Sequence, residues 1–420
     1  MDKWKDRIYL CLAHMSEDGA EQRFVKEAFD TNWVVPLGPN VNGFEKDLEE
    51  FVGQNKRVVA LSAGTAAVHL ALLNCGVGPG DEVLVQSFTF CASSHPITYL
   101  GATPVFIDSE KDTWNMDPDL LEEAIKDRIA KTGKKPKAIV PVALYGMPYQ
   151  IDRIMAIANK YDIPVVEDAA EGFGSRFRGQ VLGTFGKYGV LSFNGNKMIT
   201  TSGGGALVTA NDDEWREIMM YATQYRESYP YYQHEKIGFN YRMSNICAGI
   251  GRGQMTVVNE HIAHHNKVQK LYEQLLKDVK GITVHSQPAT GEYESNYWLC
   301  TITLDPDLKI KGQENAYKQI ITGAVGGAAG VIHAADSAHT DCEPNANVEA
   351  MRMGLDALNV ESRPLWKPMH KQPVYKNAPA FVNGVSEELF KVGMCLPAGP
   401  YVKEDEVHFI CEAIKSLIER

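Results

Sequence analysis

Short β-rich runs alternate with helical patterns through the first half of this 420-residue chain. RVVAL (57–61) precedes the helical TAAVHLALLNCG, and IPVVEDA (163–169) follows the helical IDRIMAIANKYD. The runs are continuously apolar, which is typical of strands buried on both faces of a parallel sheet. The alternation therefore predicts an α/β fold whose central sheet is mostly parallel and is sandwiched by helices.

The pattern changes after Asn245. One long helical period extends from Asn245 to Lys280, and shorter strand and helix patterns are mixed beyond it. The change predicts a large domain over 1–280 and a smaller α+β domain over 281–420. Residues 322–345 are rich in Gly and Ala without a clear period, so we expect a flexible insertion there.

Charge and cysteine usage limit the function classes. The formal net charge of -11 argues against a nucleic-acid-binding surface. No apolar stretch reaches membrane-spanning length, and the N-terminus lacks the pattern of a signal peptide. The 8 cysteines are scattered without Cys-x-x-Cys spacing, which is typical of buried thiols in a reducing compartment. We therefore expect a cytoplasmic protein that binds neither nucleic acid nor membrane.

SAGTAA (62–67) lies where a predicted strand passes into a helix. Backbone N–H groups at a helix N-terminus attract phosphate, and Gly64 allows the backbone to approach a ligand closely. Taken alone, the motif is better explained as an ordinary strand–helix turn with a Ser or Thr cap.

VVEDAAEGFGS (165–175) is an apolar strand that ends in Glu-Asp. Side chains at the carboxyl end of a parallel strand face the crevice where ligands bind. The Asp168 carboxylate can pair there with a cationic ring nitrogen. A turn or helix cap explains Asp168 about equally well.

SFNGNKMITTSGGG (192–205) places Lys197 in a polar cluster before three glycines. A neutral lysine amine attacks aldehydes, and Ser192 and Asn194 suit a phosphate or a cofactor hydroxyl. A lone lysine is more often a solvated one. Together with the other two motifs, however, it completes the contacts of pyridoxal 5'-phosphate: an anion site, a carboxylate for the pyridine nitrogen and a lysine for the Schiff base.

The ordered motifs resemble the DegT/StrS-type sugar-nucleotide aminotransferase family, a group of pyridoxal-phosphate enzymes within the fold-type I aminotransferases. The resemblance covers nearly the whole chain. The motifs that carry it, after VVPLGPNVNGFEKDLEEFVG and before MCLPAGP, are SAGTAAVHLAL, QSFTFCASSHPI, VVEDAAEGFGS, SFNGNKMITTSGGGAL, GFNYRMSNICAGIGRGQ and VESRPLWKPMHKQPVY.

The resemblance implies a role for each motif. Lys197 would be the catalytic residue that binds the cofactor covalently, and Asp168 would pair with the pyridine nitrogen. Phe90 would stack on the pyridine ring, and Asn240 would reach the phosphate site of a neighbouring subunit, which implies a homodimer with shared active sites. The remaining cofactor-binding residues would be Gly64, Thr65, Glu171, Ser192 and Asn194, with Gly64, Thr65 and Ser192 at the phosphate.

A second set of residues is assigned to the substrate. The segment around Arg363 resembles the region that contacts the sugar nucleotide, and the Arg363 guanidinium suits a diphosphate. A surface cluster with a packed tryptophan explains this segment about equally well. The predicted substrate-binding residues are Arg242, Arg363, Trp366, Lys367 and His370.

The resemblance implies transfer of an amino group from L-glutamate to the 4-keto carbon of a nucleotide-linked 4-keto-6-deoxy sugar. The motifs are most similar to the subgroup that aminates UDP-linked 4-keto-6-deoxy-N-acetylhexosamines, as in bacillosamine synthesis. Ala143, Glu171 and the 322–345 segment depart from the usual pattern and weaken this choice of sugar. The alternatives are a dTDP-4-keto-6-deoxyhexose aminotransferase, a dehydratase of the same family and a non-enzymatic sensor.

Two other features are predicted to have no role in chemistry. HIAHH (261–265) has helical spacing, but without acidic or cysteine partners it favours a solvated helix face over a metal site. KTGKKPK (131–137) lacks the upstream glycine of a P-loop and indicates an exposed turn.

Overall fold

The computed structural model describes residues 1–316, 323–324, 331–332 and 342–419. Most of the predicted insertion at 322–345 lies outside these residues. Of that segment, Gly323–Ala324 (β13) and Val331–Ile332 (β14) pair as antiparallel strands. The prediction of flexibility for this segment stays a prediction.

A central sheet of eight strands supports the larger part of the molecule. Its strand order is β1-β9-β8-β5 followed by β4-β2-β3-β16, and single bridges join β4 and the residues after it to β5. Strand β9 is antiparallel to both neighbours, while the other pairs are parallel. The predicted mostly parallel sheet is therefore confirmed. The strands are β1 (Arg57–Leu61), β2 (Glu82–Gln86), β3 (Thr103–Ile107), β4 (Ala138–Val140), β5 (Val166–Asp168), β8 (Tyr188–Ser192), β9 (Gly205–Thr209) and β16 (Ala380–Phe381).

Helices cover both faces of this sheet because its strands bury both sets of side chains. In β1, Val58 and Ala60 join the core formed with helix α2 (Pro39–Val52), whereas Val59 and Leu61 join the core formed with helix α3 (Gly64–Asn74). Continuous apolar strands thus supply two cores at once. The helices of this region are α1 (Ala20–Asp30), α2 (Pro39–Val52), α3 (Gly64–Asn74), α4 (His95–Tyr99), α5 (Pro118–Thr132), α6 (Ile151–Tyr161), α7 (Asp212–Ala222) and α8 (Asn245–Met255).

A second, antiparallel sheet has the order β10-β12-β17-β15 and packs against helices from the C-terminal part of the chain. A three-stranded sheet, β11-β6-β7, lies separately. The remaining elements are β6 (Arg176–Phe177), β7 (Gln180–Val181), α9 (Val258–Leu276), β10 (Ile282–Val284), β11 (Tyr293–Glu294), β12 (Cys300–Leu304), α10 (Ala346–Ala357), β15 (Arg363–Pro364), α11 (Val385–Val392), β17 (Gly393–Leu396) and α12 (Glu404–Leu417).

On each side of residue 280, a segment belongs to the part of the fold formed mainly by the residues on the other side. Ile8 is buried in the C-terminal core and bridges Val360, although it is near the N-terminus. Strand β16 pairs in parallel with β3 of the central sheet, although it follows residue 281. The division into 1–280 and 281–420 stays a prediction. The segment around Ile8 packs with the C-terminal core, and β16 belongs to the central sheet.

The single long helix expected from Asn245 to Lys280 is wrong, because α8 ends at Met255 and α9 begins at Val258. The Gln254 side chain donates to His14 O at 2.9 Å and to Glu21 Oε1 at 2.7 Å. A Cβ on Gly253 would lie 2.5 Å from the backbone nitrogen of Glu21. Helix α8 is therefore fixed against α1, and the chain turns before it continues as α9.

The solvated face predicted for HIAHH is also wrong. His261 and His265 are buried, and their Nδ1 atoms lie 3.3 Å from Met198 O and 3.0 Å from Tyr297 O. Helix α9 thus packs against the segment after β8 and the segment before β12. The part of the chain that the structure describes contains no group of three or more side chains that could hold a metal ion.

Membrane spans were sought in the same described residues. No helix there is both long and apolar enough to cross a bilayer.

Burial of His265 predicts a pH-dependent stability. Burial lowers the pKa of His265 to about 3, below the ordinary value of about 6.5. The unfolded chain therefore binds one more proton between these values, and stability is lost as the pH falls below about 6.5. We expect His265→Gln to remove about 2 kcal/mol of the stability difference between pH 7.5 and pH 5. Urea denaturation at the two pH values measures it, and an unchanged difference would refute the buried neutral imidazole.

Candidate active site

The candidate active site lies at the carboxyl edge of the central sheet. Asp168 ends β5, Ser192 ends β8, and these two strands pair in parallel as neighbours. Helix α3 begins beside them at Gly64, since a Cβ on Gly64 would lie 3.0 Å from Cβ of Ser192. Three motifs that are far apart in the sequence are therefore brought together, as expected for a crevice at the ends of parallel strands.

Lys197 is a largely buried lysine five residues beyond the end of β8. Its side chain is 13% exposed, and its Nζ lies 3.4 Å from Oε1 of Glu171. The same nitrogen lies 4.0 Å from the centroid of the Trp298 ring. The solvated lysine that a lone motif favours is thus excluded.

The backbone around Lys197 is held on both sides. The Lys197 N–H donates to Asn194 O at 2.9 Å, and the Trp298 indole N–H donates to Asn196 O at 2.6 Å. His261 contacts the carbonyl of Met198, the next residue along the chain. These contacts fix where the lysine side chain begins.

Asp168 is buried and accepts hydrogen bonds from Ser93 Oγ at 2.6 Å and from the Ala170 N–H at 3.1 Å. Burial raises the pKa of Asp168, and the hydroxyl of Ser93 opposes that rise. The described residues provide no ion-pair partner for this carboxylate. It is oriented by neutral donors and remains able to pair with a cation.

Glu171 is the second buried carboxylate. Its Oε2 accepts the backbone N–H of Tyr145 at 2.7 Å, while Oε1 faces Lys197. Burial raises the pKa of Glu171, and the ammonium of Lys197 works in the opposite direction. The site therefore holds two buried carboxylates, of which only Glu171 pairs with Lys197 among the described residues, and the unpaired charge of Asp168 fits a protonated pyridine nitrogen.

The start of α3 fits a phosphate. Ala63 before it is extended (φ -163°), and no side chain among the described residues caps the helix. The first N–H groups of a helix have no partner within it, and they attract anions. A side chain at position 64 would fill the space beside Ser192. Gly64, Thr65 and Ser192 thus form a cradle with free donors, which favours the phosphate interpretation over the ordinary cap.

Aromatic side chains extend from Lys197 to the surface. Trp298 stacks on Tyr145, and Tyr145 stacks on Trp366, each pair with ring centroids 6.4 Å apart. Trp366 then lies 5.2 Å from the ring of Phe90, which is 48% exposed. Nε1 of Trp366 is buried without a hydrogen-bond partner among the described residues. The predicted cofactor and substrate aromatics therefore share one wall.

The predicted substrate segment lies next to this wall, and its side chains differ in exposure and in their polar partners. Arg363 is exposed and pairs with Glu361 at 2.9 Å, so its guanidinium is accessible. Lys367 is half-buried. Nδ1 of His370 lies 2.6 Å from Oγ of the buried Ser87, and burial lowers the pKa of His370. His370 thus anchors the segment to the end of β2.

Asn194 and Asn240 are both exposed. Asn194 meets Lys197 only through its backbone carbonyl in the contacts described above. The backbone of Asn240 bridges Thr223, which leaves its side chain accessible to another copy of the chain. Their cofactor contacts stay predictions.

Arg242 occupies a place that differs from the predicted one. Its guanidinium and the carboxylate of Glu45 are each 9% exposed and pair at 2.5 Å. It also donates to Ala60 O at 3.0 Å. Burial raises the pKa of Glu45, and Arg242 opposes that rise. This geometry favours a structural role, in which Arg242 links α2 to β1, over the predicted substrate contact.

Sequence patterns missed several residues of the site. Tyr145, Trp298 and Asn296 are buried here, and Asn296 Nδ2 donates to the carbonyls of Glu171 and Phe173, both at 2.9 Å. A buried aromatic or amide has no local signature. Ser93 lies in the motif QSFTFCASSHPI, three residues after Phe90. That spacing is the one sequence feature that could have indicated its place in the site.

The role of Arg242 can be tested by stability. Removing one partner of a buried ion pair leaves an unpaired charge, so we expect Arg242→Met to cost about 3 kcal/mol of unfolding free energy. Adding Glu45→Gln should recover part of that loss. Urea denaturation measures both. A loss below about 1 kcal/mol together with a raised KM would instead support the substrate contact.

Comparison with known proteins agrees with this geometry. Residues 15–326 match the model of the DegT/DnrJ/EryC1/StrS aminotransferase family. The chain is 41% identical to EpsN of Bacillus subtilis (strain 168), whose name describes a pyridoxal phosphate-dependent aminotransferase, over 98% of this chain and 96% of that protein. It is 34% identical to the GDP-perosamine synthase of Caulobacter vibrioides over 96% of each chain.

A solved structure has the same fold. The crystal structure of a DegT DnrJ EryC1 StrS aminotransferase from Brucella abortus superposes with a TM-score of 0.81 at 26% identity, over 96% of each chain. The predicted fold-type I architecture is therefore confirmed. The chain belongs to the DegT/DnrJ/EryC1/StrS aminotransferase family and is a pyridoxal-phosphate-dependent sugar aminotransferase.

Proposed function

We propose that this enzyme transfers the amino group of L-glutamate to the 4-keto carbon of a nucleotide-linked 4-keto-6-deoxy sugar, with UDP-2-acetamido-2,6-dideoxy-4-ketohexose as the acceptor. The observation that carries the proposal is the buried Lys197, with its Nζ 3.4 Å from Glu171 and the Asp168 carboxylate at the adjoining strand end. Pyridoxal phosphate, when bound, supplies the electron sink for transamination.

The residues divide the work between binding and proton transfer. The amine of Lys197 would take a proton from the α-carbon of glutamate as general base and deliver it, as general acid, to the carbon of the cofactor that receives the amino group. Asp168 would accept a hydrogen bond from the pyridine N–H, while Gly64, Thr65 and Ser192 would bind the phosphate. The ring of Phe90 would stack on the pyridine.

Arg363 would bind the diphosphate of the sugar nucleotide. A guanidinium binds phosphate oxygens in bidentate fashion, and that of Arg363 is held by Glu361 in a half-exposed pair. An arriving diphosphate would compete with Glu361 for the same donors. Trp366, whose buried Nε1 lacks a partner among the described residues, would lie beside the sugar, with Lys367 and His370 in the same segment.

Three alternatives remain distinguishable. A dTDP- or GDP-linked sugar is the closest, and the relative named GDP-perosamine synthase favours including the GDP-linked acceptor. A dehydratase of this family would replace the lysine, commonly with histidine, so Lys197 argues against it. A sensor would not need a lysine beside a phosphate cradle.

We also infer a homodimer in the cytoplasm, in which Asn240 of one copy reaches the phosphate site of the other. Exposed apolar side chains commonly mark interfaces. Val34 and Leu37, before α2, and Tyr231 and Tyr232, before Asn240, are each about half exposed or more. Seven cysteines form no disulfide in the described part of the chain, as in a reducing compartment: Cys11, Cys75, Cys91, Cys247, Cys300, Cys395 and Cys411.

Loss of the lysine tests the reaction. We expect Lys197→Ala to lower turnover at least about 1,000-fold, because it removes both the covalent attachment and the proton carrier. Lys187→Ala, at the other end of the same strand, is the control and should keep turnover. Glutamate-dependent amination is measured. Full activity of Lys197→Ala would refute the proposal.

Substrate choice is tested with a panel of UDP-, dTDP- and GDP-linked 4-keto sugars. We expect the highest kcat/KM for the UDP-linked N-acetylated sugar, and an increase of about tenfold in its KM for Arg363→Gln, since a charge-assisted hydrogen-bond pair is lost. Arg178→Gln, a surface arginine outside the site, is the control. A higher kcat/KM for a dTDP- or GDP-linked sugar would reassign the acceptor.

A further inference from the structure

We propose that Glu171 is a positioning residue whose carboxylate pairs with Nζ of Lys197, holding the free amine against the ring of Trp298 and staying beside the same nitrogen when the lysine is bound to the cofactor. This inference rests on the proposed function of Lys197. It assigns to Glu171 an action on the lysine, in addition to the predicted place of Glu171 among the cofactor-binding residues.

The carboxylate of Glu171 is fixed in direction. Its Oε2 accepts the Tyr145 N–H at 2.7 Å, and its backbone carbonyl accepts from Asn296 Nδ2 at 2.9 Å. With one oxygen and the main chain both engaged, Oε1 remains aimed at Nζ of Lys197, 3.4 Å away. The carboxylate is only 4% exposed, so water does not compete strongly for it.

Trp298 is the second group that contacts the amine. Its ring centroid lies 4.0 Å from Nζ, and its indole N–H is bonded to Asn196 O, next to the lysine. A carboxylate and an aromatic face both attract a cation. A buried ammonium without such partners would be strongly unfavourable. The two groups therefore define one resting position for the free lysine.

A defined resting position matters because the same amine has to leave and return in each catalytic cycle. A long lysine side chain has many rotamers, and a buried partner restricts them. Glutamine would preserve the volume and the acceptor for the Tyr145 N–H but would remove the charge. Glu171 acts through Lys197 and is thus separable from groups that touch the substrate.

The pairing is tested first in the cofactor-free full-length chain by a double-mutant cycle of Glu171→Gln and Lys197→Met. We expect the combined change in the unfolding equilibrium constant to differ by about tenfold or more from the product of the single changes. The control cycle combines Glu167→Gln with the same Lys197→Met substitution. Glu167 is equally buried, but it bonds Tyr149 and Phe185. Its cycle should be multiplicative within about twofold.

The action on the bound state is tested by absorbance. In the protein loaded with pyridoxal phosphate, the visible absorbance of the cofactor changes with pH as the nitrogen that joins it to Lys197 loses its proton. We expect the midpoint pH of this change to fall by one unit or more in Glu171→Gln, because an opposite charge beside the protonated nitrogen is lost. Glu171→Asp should restore part of the shift, and Glu167→Gln should leave the midpoint unchanged. If Glu171 acted only through its shape, the shorter Glu171→Asp side chain would not restore the midpoint pH.

The outcomes separate this inference from the proposed function. A coupled cycle with a shifted midpoint supports it. A multiplicative Glu171–Lys197 cycle, or a midpoint pH in Glu171→Gln within about 0.3 units of the wild-type value, overturns the positioning role of Glu171. Normal amination by the wild type leaves the proposed function standing in that case. If the wild type aminates no keto sugar and gains no absorbance, the proposed function fails, and a coupled cycle then shows a structural ion pair only.

Discussion

The arrangement of the site depends on one electrostatic constraint, the burial of two carboxylates beside a single lysine. Glu171 pairs with Lys197, whereas the hydrogen bonds that Asp168 accepts from described residues come from the neutral donors Ser93 and Ala170. Such burial is unfavourable without a compensating cation. In the proposed function, the protonated pyridine nitrogen of the cofactor would supply that cation, and binding of the cofactor would then balance the buried charge.

The fold brings the groups of the site together from both sides of residue 280. Parallel pairing of β5 and β8 places Asp168 and Ser192 at one edge, and α3 starts beside them. Trp298 lies two residues before strand β12 of the C-terminal sheet, and its ring centroid is 4.0 Å from Nζ of the lysine. Helix α9 adds His261 against the carbonyl of Met198. The lysine is therefore held where the two parts of the chain meet.

Local patterns predicted what is local in the structure. The apolar strands, the helix start at Gly64 and the acidic strand end at Asp168 follow from neighbouring residues, and the structure brings them together. Contacts between distant residues could not be predicted this way. Arg242 finds Glu45 almost 200 positions away, and His265 is buried by the segment around Tyr297. A polar residue on a helix is predicted as solvated unless its distant partner is known.

The covalent attachment of the cofactor to Lys197 is the central claim, and one measurement tests it most directly. The wild-type protein is loaded with pyridoxal phosphate, reduced with borohydride and digested, and the peptides are weighed by mass spectrometry. The account predicts that the peptide containing Lys197 carries the reduced cofactor. A cofactor found on another lysine, or on none, would contradict it.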